Sequence, residues 1–413
     1  MPALLNRLTS RRQKRFNPCN QNFPASQPSS NTSSVRPDLS TAAKQTFQVV
    51  ALLATVLVVG IHYKSDIPDS DSVAMATWNQ LTQEFLFGGI ARVSVPLFAF
   101  AAGFFYFRSH DGSLACSIQK WRQRGRTVAL PYFLVASLAM FSWLMIRRIS
   151  GESVDWTWMH FIGQWLLHPP AEQLWFLRDL MVLVTLAPII NWLGQSGRRC
   201  YVALGTLAVA WAANWQPFPT LFGWHVLHIE TLFFFVAGMV ALRHISWLES
   251  TCQFRTQTIS VLLGLWSTLL VVRICIRPDF DIWYIHRCGW SDLLLHKASI
   301  LIGCVALFAL CSRVRHSALT RLSGASFFVF LFHEFPLRAV AHRLVERMGD
   351  TTNSCWYLTP LVLLICFGGA SLMSHWLPAW FAFLTGGRTP HRATSIVGVV
   401  RTNDSASQRC NAG

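Results

Sequence analysis

Charged side chains are scarce in this 413-residue chain: Asp, Glu, Lys and Arg together make up 13%. Soluble domains usually carry about twice that share. A chain of this length would otherwise suggest two or three soluble domains, but no long stretch has the polarity of one. Cysteine pairing motifs are also missing. Eleven cysteines are scattered through the chain with no C-x-x-C pair and no Cys/His zinc spacing, which excludes the common zinc modules. Most lie in apolar stretches, where cysteine acts as a small hydrophobe. Cys288 and Cys355 fall in segments placed outside the membrane, and a disulfide between them is chemically open. There is no P-loop, which excludes a nucleotide-driven pump of that kind. There is no G-x-S-x-G nucleophile elbow either.

What the chain does have is apolar and aromatic. Hydrophobic residues reach 52%, with 18 Trp and 30 Phe, and mean hydropathy is +0.36. Ten apolar runs are placed near 47–63, 88–107, 128–146, 174–193, 200–213, 228–242, 258–276, 298–312, 323–340 and 356–384. Several are shorter than the roughly 20 residues needed to cross hydrocarbon; the fifth, sixth and eighth are the weakest. The expected fold class is all-α, a polytopic membrane bundle of about ten transmembrane helices with both termini cytoplasmic. Residues 1–43 read as a disordered basic tail, 44–384 as the transmembrane domain, and 385–413 as a second disordered cytoplasmic tail. The first apolar run begins too far in for an ordinary signal peptide, and no small-residue cleavage site follows it.

The formal net charge of +16 has a pattern that explains it. With the N-terminus inside, 23 of the 35 Lys and Arg fall in inner segments and 9 in outer ones, while 12 acidic residues lie outside and 4 inside. That is the positive-inside signature. The basic charge therefore serves orientation and contact with membrane lipids, and no nucleic acid partner is expected.

Ionisable groups at membrane depth are costly, about 2.5–3.5 kcal/mol each on insertion scales, and are functional candidates by default. His62 ends the first run, and Asp66 follows four residues later. If the helix continues, the two share one face and suit a general base acting on a hydroxyl. An interfacial histidine wetted by headgroups fits the same spacing. Arg92, four residues before Pro96, suits bidentate binding of a carboxylate or phosphate, or a snorkelling role. Arg122, Arg124 and Arg126 form a basic loop at the inner surface, suited to anionic lipid or to a nucleotide phosphate. Trp175, Arg178 and Asp179 open the fourth run from outside. The adjacent Arg178 and Asp179 are expected to point to different sides of a helix and to find separate partners. Glu230 lies near the outer start of the sixth run beside His225 and His228, an i, i+3 histidine pair that could suggest a metal, but the spacing supplies no third strong ligand, and no metal is expected. His333 and Glu334 end the ninth run, on the same outer half as His62.

These pieces, taken in order, resemble the integral-membrane acyltransferase family known as acyltransferase type three, whose members include O-acetyltransferases of surface polysaccharides. The resemblance rests on Val58-Val59-Gly60-Ile61-His62, on Arg92-Val93-Ser94-Val95-Pro96-Leu97-Phe98 followed by Gly103, and on the basic loop into Leu130-Pro131-Tyr132. It rests also on Leu174-Trp175-Phe176-Leu177, on Phe233 to Gly238, and on Ser323 and Ser326 leading to Phe332-His333. The resemblance implies a bundle that takes an acyl group, commonly acetyl, from cytoplasmic acyl-CoA and delivers it to a hydroxyl of a glycan or other envelope acceptor. It implies catalysis by His62 and Arg92, with Asp66 orienting the ring. Trp175, Arg178, Glu230 and His333 are expected to bind substrate and Arg122, Arg124 and Arg126 to receive the donor, with polysaccharide synthesis machinery as an expected partner. One position departs. Many members carry an arginine where this chain has Ala51, with uncharged Gln48 nearby, so another group must serve the donor. A secondary transporter or exporter of a lipid-linked glycan, with His, Arg and Glu as its path, fits the same intramembrane charges, and an inactive scaffolding relative fits the Ala51 departure.

Overall fold

Apolar helices with polar caps account for nearly all of the described chain. The computed structural model describes residues 38–65, 76–152, 157–222, 224–278, 289–314, 316–349 and 352–388. Helix α1 is Thr41–Tyr63. Its start is fixed by Ser40, whose hydroxyl accepts from the Ala43 N–H and donates to Glu249 at 2.6 Å. This is the expected work of a serine N-cap. A capping box at Thr77 and Gln80 opens α2, Trp78–Gln83. A π-turn, Glu84–Gly89, and a 3-10 turn, Ile90–Val93, lead into α3, Ser94–Arg108.

The basic segment expected as a loop is helical. It forms α4, Leu114–Arg124, and runs through a second π-turn, Gly125–Ala129, directly into α5, Leu130–Ile149. Helices α6 (Trp158–Leu167), α7 (Trp175–Gln195) and α8 (Gly197–Ala212) follow. A two-residue hairpin, β1 Thr220–Leu221 and β2 Trp224–His225, separates α8 from α9, Ile229–Ala241. The rest are α10 (Ile245–Thr251), α11 (Thr256–Ile276), α12 (Trp290–Cys311), α13 (Ser317–Leu322), α14 (Ser326–Phe332), α15 (Leu337–Met348), α16 (Ser354–Trp376) and α17 (Pro378–Leu384).

Eight of these segments are long and apolar enough to cross a membrane, and the stretch Ser317–Phe332 is a shorter apolar helix. With α8 they occupy the ten expected places. The sixth and eighth, expected to be weak, are full length. The eighth looked short because Asp292, His296 and Lys297 interrupt its apolar run, yet all three are buried on the inner face of α12. The ninth run instead stops earlier than expected. Its helix ends at Phe332, and Pro336 follows, which offers no N–H to continue one; the chain then restarts as the amphipathic α15. The tenth likewise breaks at Leu377 before Pro378.

The centre of the bundle is the crossing of α3 and α9. A Cβ added at Gly103 would lie 2.0 Å from the Phe235 carbonyl oxygen, and one at Gly238 would lie 2.1 Å from the Phe100 carbonyl oxygen. Backbone meets backbone at both points, the close approach that small residues permit between membrane helices. Large apolar side chains such as Ile149, Val209 and Leu364 are exposed on the outside, as a lipid-facing surface requires. Packed chain extends past the last helix: Thr385 is buried, and Gly386 lies so close to Thr127 that a Cβ there would come within 2.5 Å of its Cα. Cys355 is buried with its Sγ 3.6 Å from the Thr359 hydroxyl, while Cys288 lies outside the described residues.

Candidate active site

His62 sits in the last turn of α1, one residue before Tyr63. Its Nδ1 lies 3.8 Å from Glu334 Oε1, and its ring meets that of His333 edge-on, 5.1 Å between centroids. Two chain segments far apart in sequence make this contact. The Tyr63 hydroxyl donates to the His333 carbonyl at 2.8 Å and so ties the end of α1 to the end of α14.

The Glu334 carboxylate is buried at 2% exposure, and each of its oxygens has a donor. The Gln173 N–H donates to Oε2 at 3.0 Å, and Arg338 Nη1 donates to Oε1 at 3.1 Å. Gln173 also reaches the Leu331 carbonyl, and Arg338 reaches Glu172 at 3.3 Å. A carboxylate held in this way is a fixed negative point facing one ring nitrogen of His62. Nδ1 faces it, which leaves Nε2 as the nitrogen that can exchange a proton with a ligand. His333 is fully buried, and its Nδ1 faces the carbonyls of Val329 and Phe330 at 3.1 and 2.9 Å. Carbonyls only accept, so Nδ1 carries the proton and Nε2 holds a lone pair. Nε2 has no hydrogen-bond partner among the described residues.

Arg92 lies in the 3-10 turn ahead of α3, within electrostatic reach of His62 and of His296 on α12. Next to it in the sequence, the π-turn holds Glu84, buried and bridged to Lys64 at 2.5 Å and to Arg273 at 2.7 Å. Two cations thus neutralise this buried carboxylate, as burial of charge demands.

The other expected site residues fall into different groups. Arg178 and Asp179 do not part completely, although each also has a partner of its own. They pair with each other at 3.1 Å, Arg178 also donates to the Leu167 carbonyl, and Asp179 accepts from the His228 backbone and ring. This network is buried and locks the start of α9 against α7. Trp175 packs edge-on against His228 at 4.7 Å. Glu230 accepts from Trp211 Nε1 at 2.9 Å and lies 3.9 Å from Lys297. His225, His228 and Glu230 therefore serve different partners and form no common ligand set. The one cluster of metal-ligand type among the described residues is His110, Asp111 and Cys116. There the His110 Nδ1 already accepts from the Gly112 N–H, and Nε2 is paired with the Ser117 hydroxyl oxygen at 2.8 Å. Asp66 lies outside the described residues.

Below the His62 group the bundle holds a cavity of about 480 Å³. Phe98, Phe176 and Phe330 line it and pack on one another with centroids 6.1–6.4 Å apart, and Phe330 touches the His333 ring. Ala51, the position without an arginine, is on its wall together with Thr55. Of the basic-segment arginines, Arg124 lines the cavity, whereas Arg122 and Arg126 are exposed and do not.

A paired histidine at the end of the first membrane helix and an arginine ahead of Val-Pro-Leu-Phe, in a glycine-locked bundle, accompany a family match that makes this an integral-membrane O-acyltransferase. The profile of the acyltransferase domain family matches residues 50–380, and the chain belongs to that family. It is similar to the succinoglycan biosynthesis protein ExoH of Rhizobium meliloti (strain 1021), with 26% identity over 373 residues, which cover 85% of this chain and 94% of that protein. No solved structure matches the chain. Sequence reading found His62, His333 and Arg92 through the cost of placing them in a membrane. It paired His62 with Asp66, which lies outside the described residues, and did not pair it with Glu334. The signal for Glu334 was there, a carboxylate beside His333 at the same depth, but only the fold brings it to His62.

Proposed function

We propose that this membrane acyltransferase transfers an acyl group, acetyl in the simplest case, from cytoplasmic acyl-CoA to a hydroxyl of a cell-envelope glycan. It would do so in the inner membrane with both termini in the cytoplasm. The observation that carries the reading is the His62–Glu334 pair beside His333. His62 Nε2 takes the proton of the acceptor hydroxyl, and the buried carboxylate stabilises the imidazolium that forms. The acceptor oxygen attacks the thioester carbonyl, the C–S bond breaks, and the proton passes from His62 to the departing thiolate. Arg92 stabilises the oxyanion, as a fixed cation can in a low-dielectric site.

The donor end of the reading is supported by the basic segment with Arg122, Arg124 and Arg126, of which Arg124 faces the cavity. The acceptor class is supported by the similarity to a succinoglycan biosynthesis protein. Trp175, Arg178, Glu230 and His333 belong to the acceptor half of the proposal. Arg178 acts there by holding the α7–α9 junction, since its guanidinium is already engaged. The test is acyl transfer by purified protein in lipid nanodiscs, read as release of free CoA thiol in the presence of envelope glycan. Wild-type activity that is abolished in His62→Ala supports the proposal; equal activity in both removes His62 from the mechanism.

A further inference from the structure

The charged end of the cavity holds a second arginine that the reaction above does not use. Arg388, from the segment after α17, lines the same cavity as Arg124. Its guanidinium donates to the carbonyls of Thr127 and Thr385 at 2.7 and 2.8 Å and lies over the Phe327 ring at 3.6 Å. The Thr385 hydroxyl in turn donates to the Arg388 carbonyl. This turn is docked on the second π-turn through the tight Gly386–Thr127 approach. The position of Arg388 is thus built, not incidental.

Neither Arg124 nor Arg388 has an ion-pair partner among the described residues. Burial, and then the neighbouring Arg124 charge, push the Arg388 pKa down to about 10. Two like charges sharing one apolar-walled cavity repel each other unless an anion joins them. A third donor stands beside them. Tyr106 lines the cavity within electrostatic reach of Arg124, is 1% exposed, and its hydroxyl has no hydrogen-bond partner among the described residues. Ser326 also lines the cavity, buried with a hydroxyl that has no partner among the described residues.

We propose that Arg124, Arg388 and Tyr106 form a phosphate-binding site at the mouth of the cavity, so that the segment after the last helix is part of the donor site. The ligand class is a phosphate or pyrophosphate ester carrying a slender, mostly apolar arm. The volume suits such an arm, since small-molecule sites run from about 300 to 1,000 Å³. The arm would pass Ser326, whose hydroxyl can meet an amide, and end at the Phe98–Phe176–Phe330 group under His333. Naming acyl-CoA as this ligand rests on the proposed function; the phosphate site itself does not. Two guanidiniums and a phenol also explain how the chain handles a donor with alanine at position 51.

The test is binding to the full chain in nanodiscs of phosphatidylcholine, followed by intrinsic tryptophan fluorescence. CoA, pantetheine and inorganic pyrophosphate are the probes. Arg388→Gln and Arg124→Gln are each expected to weaken CoA and pyrophosphate about tenfold or more, the usual worth of a charge-assisted hydrogen bond, and to leave pantetheine unchanged. Unchanged pantetheine binding also shows that the variants are folded. Arg388→Lys should recover part of the loss. Equal pyrophosphate binding by wild type and both Gln variants overturns the site. Arginine-dependent binding of pyrophosphate without binding of CoA keeps the site and overturns the acyl-CoA reading. An effect of Arg388→Gln seen only with phosphatidylglycerol vesicles assigns the pair to a lipid headgroup and overturns its role in the donor site.

Discussion

Replacing Glu334 with Gln removes the charge that faces His62 while keeping the shape and an acceptor for the Gln173 N–H. At 3.8 Å and an effective dielectric of about 20, a full carboxylate–imidazolium attraction is about 4 kcal/mol. Arg338 and the Gln173 N–H already draw on the same carboxylate at 3.1 and 3.0 Å, so about half of that is expected to reach the transition state. A loss of about 2 kcal/mol is about 30-fold in kcat. The assay is steady-state acyl transfer with Glu334→Gln, His62→Ala and the double variant. The reasoning requires the Glu334→Gln effect to vanish in the His62→Ala background, because the carboxylate acts through that ring. A loss of less than twofold in the single variant, or the same 30-fold loss with and without His62, would refute it.

Other consequences can be checked on purified protein. Gly103→Ala drives a methyl group into the Phe235 carbonyl, and overpacking of this kind costs about 1–3 kcal/mol; thermal unfolding in detergent should show a lower midpoint, and Gly103→Val little folded protein. Asp179→Asn strands Arg178 and the His228 ring in a buried network, at a cost of about 3–5 kcal/mol; the expected readout is reduced yield and stability, with the kcat of the surviving protein near wild type. His168, in the loop ahead of α7, has its pKa pushed down to about 4 by burial and then by Arg178, and its ring lies against Trp224. An unfolded histidine titrates near about 6.5, so between those values the unfolded state binds more protons and stability rises with pH. The unfolding midpoint should fall as pH drops from 6.5 toward 4, and His168→Gln should flatten that slope.

The helices were legible because each apolar run is a local property. The charge pattern, local in the same way, assigns them an expected orientation. What the one-dimensional reading misjudged were interruptions. Asp292, His296 and Lys297 looked like the end of a span and are instead the inner face of α12. The Lys120–Arg126 segment looked like a loop because it is polar, yet it forms a helix that continues into α5. Arg178 and Asp179 were expected to part because neighbours on a helix diverge, but a long guanidinium can fold back onto the next carboxylate.

His62 and His333 stood out in the sequence because a membrane makes an imidazole expensive wherever it sits, and that cost can be read without knowing its neighbours. The partner could not be read so. Glu334 is separated from His62 by most of the bundle's sequence, and Arg388 is as far from Arg124. Electrostatic pairing depends on distances of a few ångströms, which only the packing of α1 on α14, and of the last turn on the second π-turn, decides. The sequence by itself determined a multi-pass membrane bundle and its costly residues; the tertiary structure chose which of those residues meet.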